Sequence, residues 1–300
     1  MRKITLHGTT FEIRFIDTPQ EMRLVEDLQD VVWPGSERDI VPDHILLPIA
    51  RSGGVVLGAF PLEEHPKAPL AGFVYGFPCM EQEDGEWHFQ HCSHQMGVHP
   101  AYRGLGLSYW LKRAQWQWVR HQGLDRIVWT YDPLLSRNAH LNIRKLGGIC
   151  RTYYREYYGP MRDGLNAGLP SDRFVLELWV NSNRTLSRMR DEPPQALDLA
   201  HYMSAGAIIL NPSGLRADGV VEPPATWREP EGDLALVEIP VDFLALKAAD
   251  METARRWRFQ TREIFETLFA RGYIVTDFVH LPGKHGRSFY VLSHGEATLG

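Results

Sequence analysis

The stretch Val98-His-Pro-Ala-Tyr-Arg-Gly-Leu-Gly-Leu-Ser108 follows a strand-like segment, Trp87 to Val98, and runs directly into a helical pattern, Gly106 to His121. A strand, a glycine-bearing turn and a helix N-terminus in succession make an anion site. Unpaired backbone N–H groups and the helix dipole both favour negative charge there. Gly104 and Gly106 permit close backbone approach and either sign of φ. The turn is not the dinucleotide fingerprint, which needs a third glycine and an acidic residue about 20 positions on. It is not a P-loop either, because no Lys-Ser/Thr pair follows the glycines.

The charge distribution points to the same stretch. The chain of 300 residues has a net charge of −5, but from Met1 to Gly97 it carries 7 Lys/Arg against 15 Asp/Glu, and from Val98 to Pro160 10 against 3. The basic segment is therefore the one that holds the turn, as a phosphate-rich ligand requires. A solvated basic helix face is the plainer alternative. With 44% apolar and 23% charged residues the composition is that of a soluble globular protein long enough for two domains. No 18-residue apolar run and no signal-like start occur, so a cytoplasmic location without membrane contact is expected. Cys79, Cys92 and Cys150 are odd in number and lack metal-type spacing, which fits reduced thiols.

Along the chain, Phe11 to Phe15 reads as a strand, and Pro19 to Val32 and Val41 to Ala50 as helices. Gly54 to Phe60, Leu70 to Phe77 and Trp87 to Val98 read as three strands. The helix opening at Gly106 is ended by Gly123 and followed by a strand, Ile127 to Tyr131. Asn138 to Leu146 is a further helix, stopped by Gly147-Gly148, and Ile149 to Tyr158 an aromatic-rich strand. Beyond it, Phe174 to Val180, Leu234 to Ile239, Tyr273 to Val279 and Phe289 to Leu292 read as strands, and Asp250 to Arg271 as a long amphipathic helix. Asn181 to Ser204 and Asn211 to Gly232 are polar and proline-bearing, and read as loops or linkers.

The turn and this order of elements resemble the GNAT superfamily of acyl-CoA N-acyltransferases. Arg103, Gly106 and Ser108 fill the family's pyrophosphate-loop pattern, Gln/Arg-x-x-Gly-x-Gly/Ala, with Ser108 departing from the usual last residue. Ser136-x-Asn138-Ala139 with Arg144-Lys145-Leu146-Gly147 resembles its later Asn…Ala…Lys-Leu-Gly helix, although Ile143 stands where Tyr is frequent. The resemblance implies an α/β (α+β) fold, a GNAT-like central mixed sheet flanked by helices. Residues 1–160 would form the acyl-CoA-binding domain, and 161–300 a smaller C-terminal α/β extension. A helix–Gly–strand echo (Gln122-Gly123 and Arg271-Gly272) leaves two readings of that extension, a degenerate half of the same unit or an unrelated cap.

The resemblance further implies transfer of an acetyl or succinyl group from acyl-CoA to the amine of a small molecule such as an amino acid, without a metal. Arg103, Gly104, Leu105, Gly106, Leu107 and Ser108 would hold the pyrophosphate. Met96, Gly97 and Val98 would pair with the pantetheine and supply oxyanion donors, and Asn138 and Asn142 would bond the pantetheine arm. For the base, the strand offers His88, His91 and His94, with His91 on the opposite face by alternation. His94 is the choice, because its ordinary pKa near 6.5 suits amine deprotonation; the trio makes an unconvincing zinc site. Tyr154, among Tyr153, Tyr154, Tyr157 and Tyr158, is the expected acid. Tyr131 and Asp132 are expected to face the acceptor, Asp132 equally fitting as a turn cap. Arg137 and Arg151 could meet a succinyl carboxylate. No nucleic-acid partner is expected, and a homo-oligomer stays open. The rival reading is a GNAT-fold protein that binds CoA without turnover.

Overall fold

The computed structural model describes residues 2–35, 40–160, 167–283 and 285–295. Two compact units divide it, the first built from residues 2–129 with 179–181, the second from most of the remainder.

The first unit is a sheet in the order β1-β2-β3-β4-β5-β6. β2 (Thr9–Phe15) contains the first strand expected from the sequence, and β1 (Arg2–Leu6) precedes it and pairs with it as a hairpin. Its two-residue turn places His7 at φ +47° and Gly8 at φ +87°, the left-handed pair that matches strand twist. α1 (Pro19–Val32) starts where Thr18 accepts a hydrogen bond from the Glu21 N–H, with Pro19 pre-set for the first turn. α2 (Asp43–Arg51), β3 (Val55–Pro61), β4 (Gly72–Glu83) and β5 (Glu86–Val98) follow. α3 (Leu107–His121) then leads into β6 (Arg126–Tyr131).

Alternation in the strands sends apolar side chains to both faces. Met22, Val25, Leu28 and Leu46 of α1 and α2 pack with Val56, Phe73 and Tyr75 on one face. Leu107 and Leu111 of α3 pack with Phe11, Leu57 and Val74 on the other. The sheet is thus buried on both sides, and its central strands read as nearly continuous apolar runs.

The second unit opens with α4 (Ser136–Ala139), which runs on as a π-helical turn over His140–Lys145, and β7 (Ile149–Tyr154). β8 (Arg173–Trp179), α5 (Asn183–Arg188), α6 (Leu199–Ser204) and the short β9 (Ile208–Ile209) come next. The segments read from sequence as linkers hold these two helices and a small hairpin, β10 (Gly214–Leu215) with β11 (Val221–Glu222). Caps from Ser182 and Asp198 start α5 and α6, so short polar sequence there encodes single helical turns rather than open loop. β12 (Leu234–Ile239), α7 (Phe243–Ala249), α8 (Met251–Ala270), β13 (Tyr273–Leu281) and β14 (Arg287–His294) complete the chain.

In this unit the order is β8-β7-β13-β14-β12-β9. β14 lies between β12 and β13 and is antiparallel to both. The α8–Gly272–β13 echo therefore does not reproduce the directly paired parallel strands β5 and β6. Among the described residues no helix is long and apolar enough to cross a membrane.

Candidate functional site

Three local features of the first unit converge on the end of β5. The earliest is a β-bulge. Tyr75 of β4 pairs with Gln95 and the next residue, Gly76, pairs with Ser93, so His94 has no partner of its own. A bulge bends its strand and re-aims the side chains around it. Before it, His91 points towards α3 and meets Gln115 at 3.2 Å. His94 points to the α1–α2 face, where its ring stacks on Tyr75. After it, Met96 and Val98 pack on the α3 side. Gly76 is required opposite the bulge. A Cβ there would lie 2.4 Å from both Cys92 O and His91 Nε2.

The parallel ladder between β5 and β6 is short. It joins His91 to Ile127 and Cys92 to Val128 and stops there, while β5 continues paired to β4 as far as Val98. The stretch from Ser93 to Val98 thus has a strand partner on the β4 side, and the β6 ladder has ended. An extended segment can add to such an edge by main-chain hydrogen bonds.

The turn after Val98 supplies the third feature. Pro100 to Tyr102 forms one tight turn, with Tyr102 buried against Phe11 and its hydroxyl accepting from the Lys67 N–H at 2.9 Å. The Arg103 Nε–H donates to Val98 O at 3.2 Å, which ties the turn back to the strand. Gly104 and Gly106 have φ of +82° and +85°, and Gly106 caps α3 in the left-handed region. No side chain caps α3 and no acid lies in its first turn. Apart from the Tyr109 N–H, which bonds Gly106 O at 3.1 Å, the first N–H groups of the helix have no side-chain cap and no acid beside them in the first turn. This is a fit for a pyrophosphate.

His94 is exposed at the surface, yet packing against Tyr75 and Phe77 desolvates it and draws its pKa below 6.5. Tyr75 Oη lies 3.1 Å from its Nδ1. When Nδ1 carries the proton and donates it to Tyr75 Oη, Nε2 keeps a free lone pair.

Behind β5, a polar cluster that sequence reading missed fills the interface with α3. Lys112 is buried, and its Nζ donates to Ser93 Oγ at 2.7 Å and lies 3.6 Å from the Trp129 ring centroid. Ser93 Oγ donates to Gln115 Oε1 at 2.8 Å. Burial pulls Lys112 down to about 7 and His91 to about 3, the Lys112 charge adding to the effect on His91. Helical spacing of Lys112 and Gln115 gives the only sequence sign of it, and the same spacing suits a solvated helix face.

The expected residues of the second unit are placed as follows. Asn138 is exposed in α4 and Asn142 is buried in the π-turn, where its carbonyl accepts the Gly148 N–H. Tyr154 is exposed and its ring packs on Tyr157. Tyr153 donates its hydroxyl to Asp172, and Tyr158 Oη meets Thr130 Oγ1 at 3.0 Å. Tyr131 is buried, with its hydroxyl 3.3 Å from that of Tyr290. Asp132 caps the Leu134 N–H and holds the buried Arg258 guanidinium, so its carboxylate is fully engaged inside the unit. Arg151 is held by both carboxylate oxygens of Glu177.

No family model and no curated protein matches the chain. Solved structures similar to it include the NatC complex bound to Gag peptide and CoA, at 17% identity and TM-score 0.43, covering 56% of this chain and 98% of that one. An acetyltransferase of the GNAT family from Streptococcus pneumoniae is 16% identical, with TM-score 0.41, over 56% of this chain and 98% of that one. Aminoglycoside 6'-acetyltransferase type Ii is also 16% identical, with TM-score 0.41, over 56% and 97%.

Proposed function

We propose that the protein is an acyl-CoA-dependent N-acyltransferase of the GNAT type. The observation that carries this reading is the bulge at His94 directly upstream of the α3 turn. One strand thereby offers a base, an open main-chain edge and an anion cradle in sequence. Arg103 to Ser108 and the first turn of α3 hold the pyrophosphate. Met96, Gly97 and Val98 pair with the pantetheine and aim N–H groups at the thioester oxygen, where charge develops in the transition state. Asn138 and Asn142 are assigned to the pantetheine arm.

The acceptor is assigned to the small primary amines, amino acids among them. His94 Nε2 takes the amine proton as nitrogen attacks the thioester carbon, the C–N bond forms and the C–S bond breaks. The thiolate leaves with a proton from Tyr154, the tyrosine of its cluster whose hydroxyl no described residue binds. The acyl group is assigned as acetyl or succinyl; with Arg151 held by Glu177, Arg137 is the cation assigned to a succinyl carboxylate. Because Asp132 is engaged by Arg258, its support goes to a structural part rather than to the acceptor.

The reading is tested by thiol release from acetyl-CoA in the presence of an amine panel, with a zero-amine control. Amine-dependent release that His94→Ala abolishes supports it. CoA binding with no amine-dependent release from any class would leave a binding protein.

A further inference from the structure

Within the first unit, β4 and β5 run on past the neighbouring strands. The β3 ladder on β4 ends at Gly76, and the β6 ladder on β5 begins at His91. Cys79 to Glu83 pairs with Glu86 to Gln90 and with no other described strand, so the two form a projecting ribbon with open outer edges. Asp84 and Gly85, at φ +51° and +85°, make its two-residue turn. A hydrogen bond between the flanking residues, Glu83 and Glu86, closes such a turn, and bonded and non-bonded pairs alternate from there. Trp87 and Phe89 therefore turn their N–H and C=O groups outwards. On β4 the same alternation turns Pro78 outwards, and its missing N–H blunts that edge. The β5 edge from Glu86 to Gln90 has no proline, lysine or bulge to protect it.

The side chains on this edge are apolar. Trp87 and Phe89 share one face of the ribbon with Met80, which stands opposite Phe89. At 62% and 66% exposed they are the two most exposed large apolar side chains of the described residues, and Met80 is 55% exposed. Single exposed apolar residues are ordinary, but an apolar stripe beside an open strand edge marks a place for another chain. A cavity of about 330 Å³ flanks the edge, walled in part by Trp87, Phe89, Leu124, Arg126 and Trp179, and leaves room for the end of an added strand.

We propose that this edge pairs with the same edge of a second copy of the chain, the two β5 strands running antiparallel about a two-fold axis at His88. In that register Trp87 stands opposite the partner's Phe89, and Phe89 opposite the partner's Trp87. All four face outwards, so each of the two pairs exchanges two main-chain hydrogen bonds. The four rings lie on one face, where cross-strand aromatic pairs stabilise a sheet. On the other face Glu86 meets the partner's Gln90 and His88 meets its own copy, so no carboxylate stands opposite another. Moving the axis to Trp87 would set Phe89 against Gly85 of the turn. Moving it to Phe89 would set Trp87 against His91, whose outer edge β6 already occupies. The axis at His88 therefore uses the whole edge. Four aromatic side chains bury about 600–1,000 Å². That is the small end of specific interfaces, so the dimer is weak and depends on concentration. The proposal stands apart from the acyltransferase reading and uses none of its residues.

The experiment is sedimentation velocity of the full-length protein over a concentration series that reaches hundreds of micromolar. Wild type is expected to pass from monomer to dimer within the series. Trp87→Thr and Phe89→Thr keep strand propensity and lose the ring, and each is expected to weaken dimerisation about tenfold or more. Disulfide formation under diamide, read on non-reducing gels, tests the register. His88→Cys faces its own copy across the axis and is expected to cross-link well above the wild-type background, whereas Glu86→Cys, which faces Gln90, is not. A wild type that stays monomeric, a dimer unchanged by both ring substitutions, or equal cross-linking of Glu86→Cys and His88→Cys would overturn the proposal. So would a monomeric wild type whose edge takes up an extended lysine-rich peptide, which would give the edge to another chain. Each substituted side chain is exposed, and circular dichroism checks that every variant keeps its fold.

Discussion

Tyr75 and His94 stack with ring centroids 5.4 Å apart and planes 14° from parallel, and Tyr75 Oη lies 3.1 Å from His94 Nδ1. The pair sits across the bulge, so the irregularity that shifts the pairing register also fixes the imidazole. Desolvation on this face lowers the His94 pKa, which keeps the ring neutral at pH 7. A neutral imidazole is the form a general base needs.

His94→Ala is expected to lower kcat about 100-fold or more, within the usual span for a lost general base, with acetyl-CoA affinity unchanged. In wild type, kcat/KM should fall on the acid side with an apparent pKa below 6.5, and the variant should lack that limb. Tyr75→Phe should lower kcat less and shift the limb, since the ring packing remains and the hydroxyl alone is lost. Steady-state kinetics over pH 5–9 measure all three. An acid limb that persists in His94→Ala would exclude His94.

The buried Lys112 makes a prediction about stability. Its pKa falls from 10.5 in the unfolded chain to about 7 in the folded one. Between those values the unfolded state binds the extra proton, so stability rises with pH by at most about 1.4 kcal/mol per unit. Below about pH 7 both states are charged and the fold bears the full burial cost. Lys112→Met should therefore stabilise the protein at pH 7 and flatten the rise above it in urea titrations. A variant less stable than wild type at pH 7 would show that the Ser93 and Trp129 contacts outweigh desolvation.

His91 works at lower pH. Burial holds it neutral in the folded chain down to about 3, against 6.5 when unfolded. The stability it contributes is present above pH 6.5 and is lost as pH falls towards 3. His91→Gln should retain more of its stability at pH 4.5, relative to pH 7, than wild type does.

Asp132→Asn should destabilise the chain by about 3–5 kcal/mol, the usual cost of leaving a buried cation without its partner. Arg258 is 1% exposed, and Asp132 is the carboxylate that accepts from it. Double replacement, Asp132→Asn with Arg258→Met, should recover much of the loss. Equal loss in the single and double variants would show that the pair is not the cause.

What the sequence discloses follows the range of the interactions. The turn from Arg103 to Ser108 is legible because positive φ at Gly104 and Gly106 and an uncapped helix start are local facts. The His94 bulge is not, because it is a mismatch between two strands, and the alternation of β5 alone continues smoothly through it. Alternation does place His91 and His94 on opposite faces, as found. The β1–β2 hairpin rested on a two-residue His7-Gly8 turn whose flanking strand is weakly apolar. Asp132 was ambiguous for a different reason. Its partner Arg258 lies 126 positions away, and no local pattern reports such a pair. Arg184 and Arg188 likewise lie on α5, which proline and polar residues nearby disguise as linker.

Calorimetric titration of acetyl-CoA into wild type and Gly106→Asp decides whether the α3 turn is a CoA site. A Cβ at Gly106 meets no atom within 4 Å, so the variant keeps its packing; it adds left-handed strain at φ +85° and a carboxylate where the pyrophosphate would lie. That strain costs about 1–2 kcal/mol, which a folded domain tolerates. Saturable binding by wild type and none by a folded Gly106→Asp is the predicted result. Equal affinity in the two proteins, or no binding by wild type, would contradict the assignment of this turn to acyl-CoA.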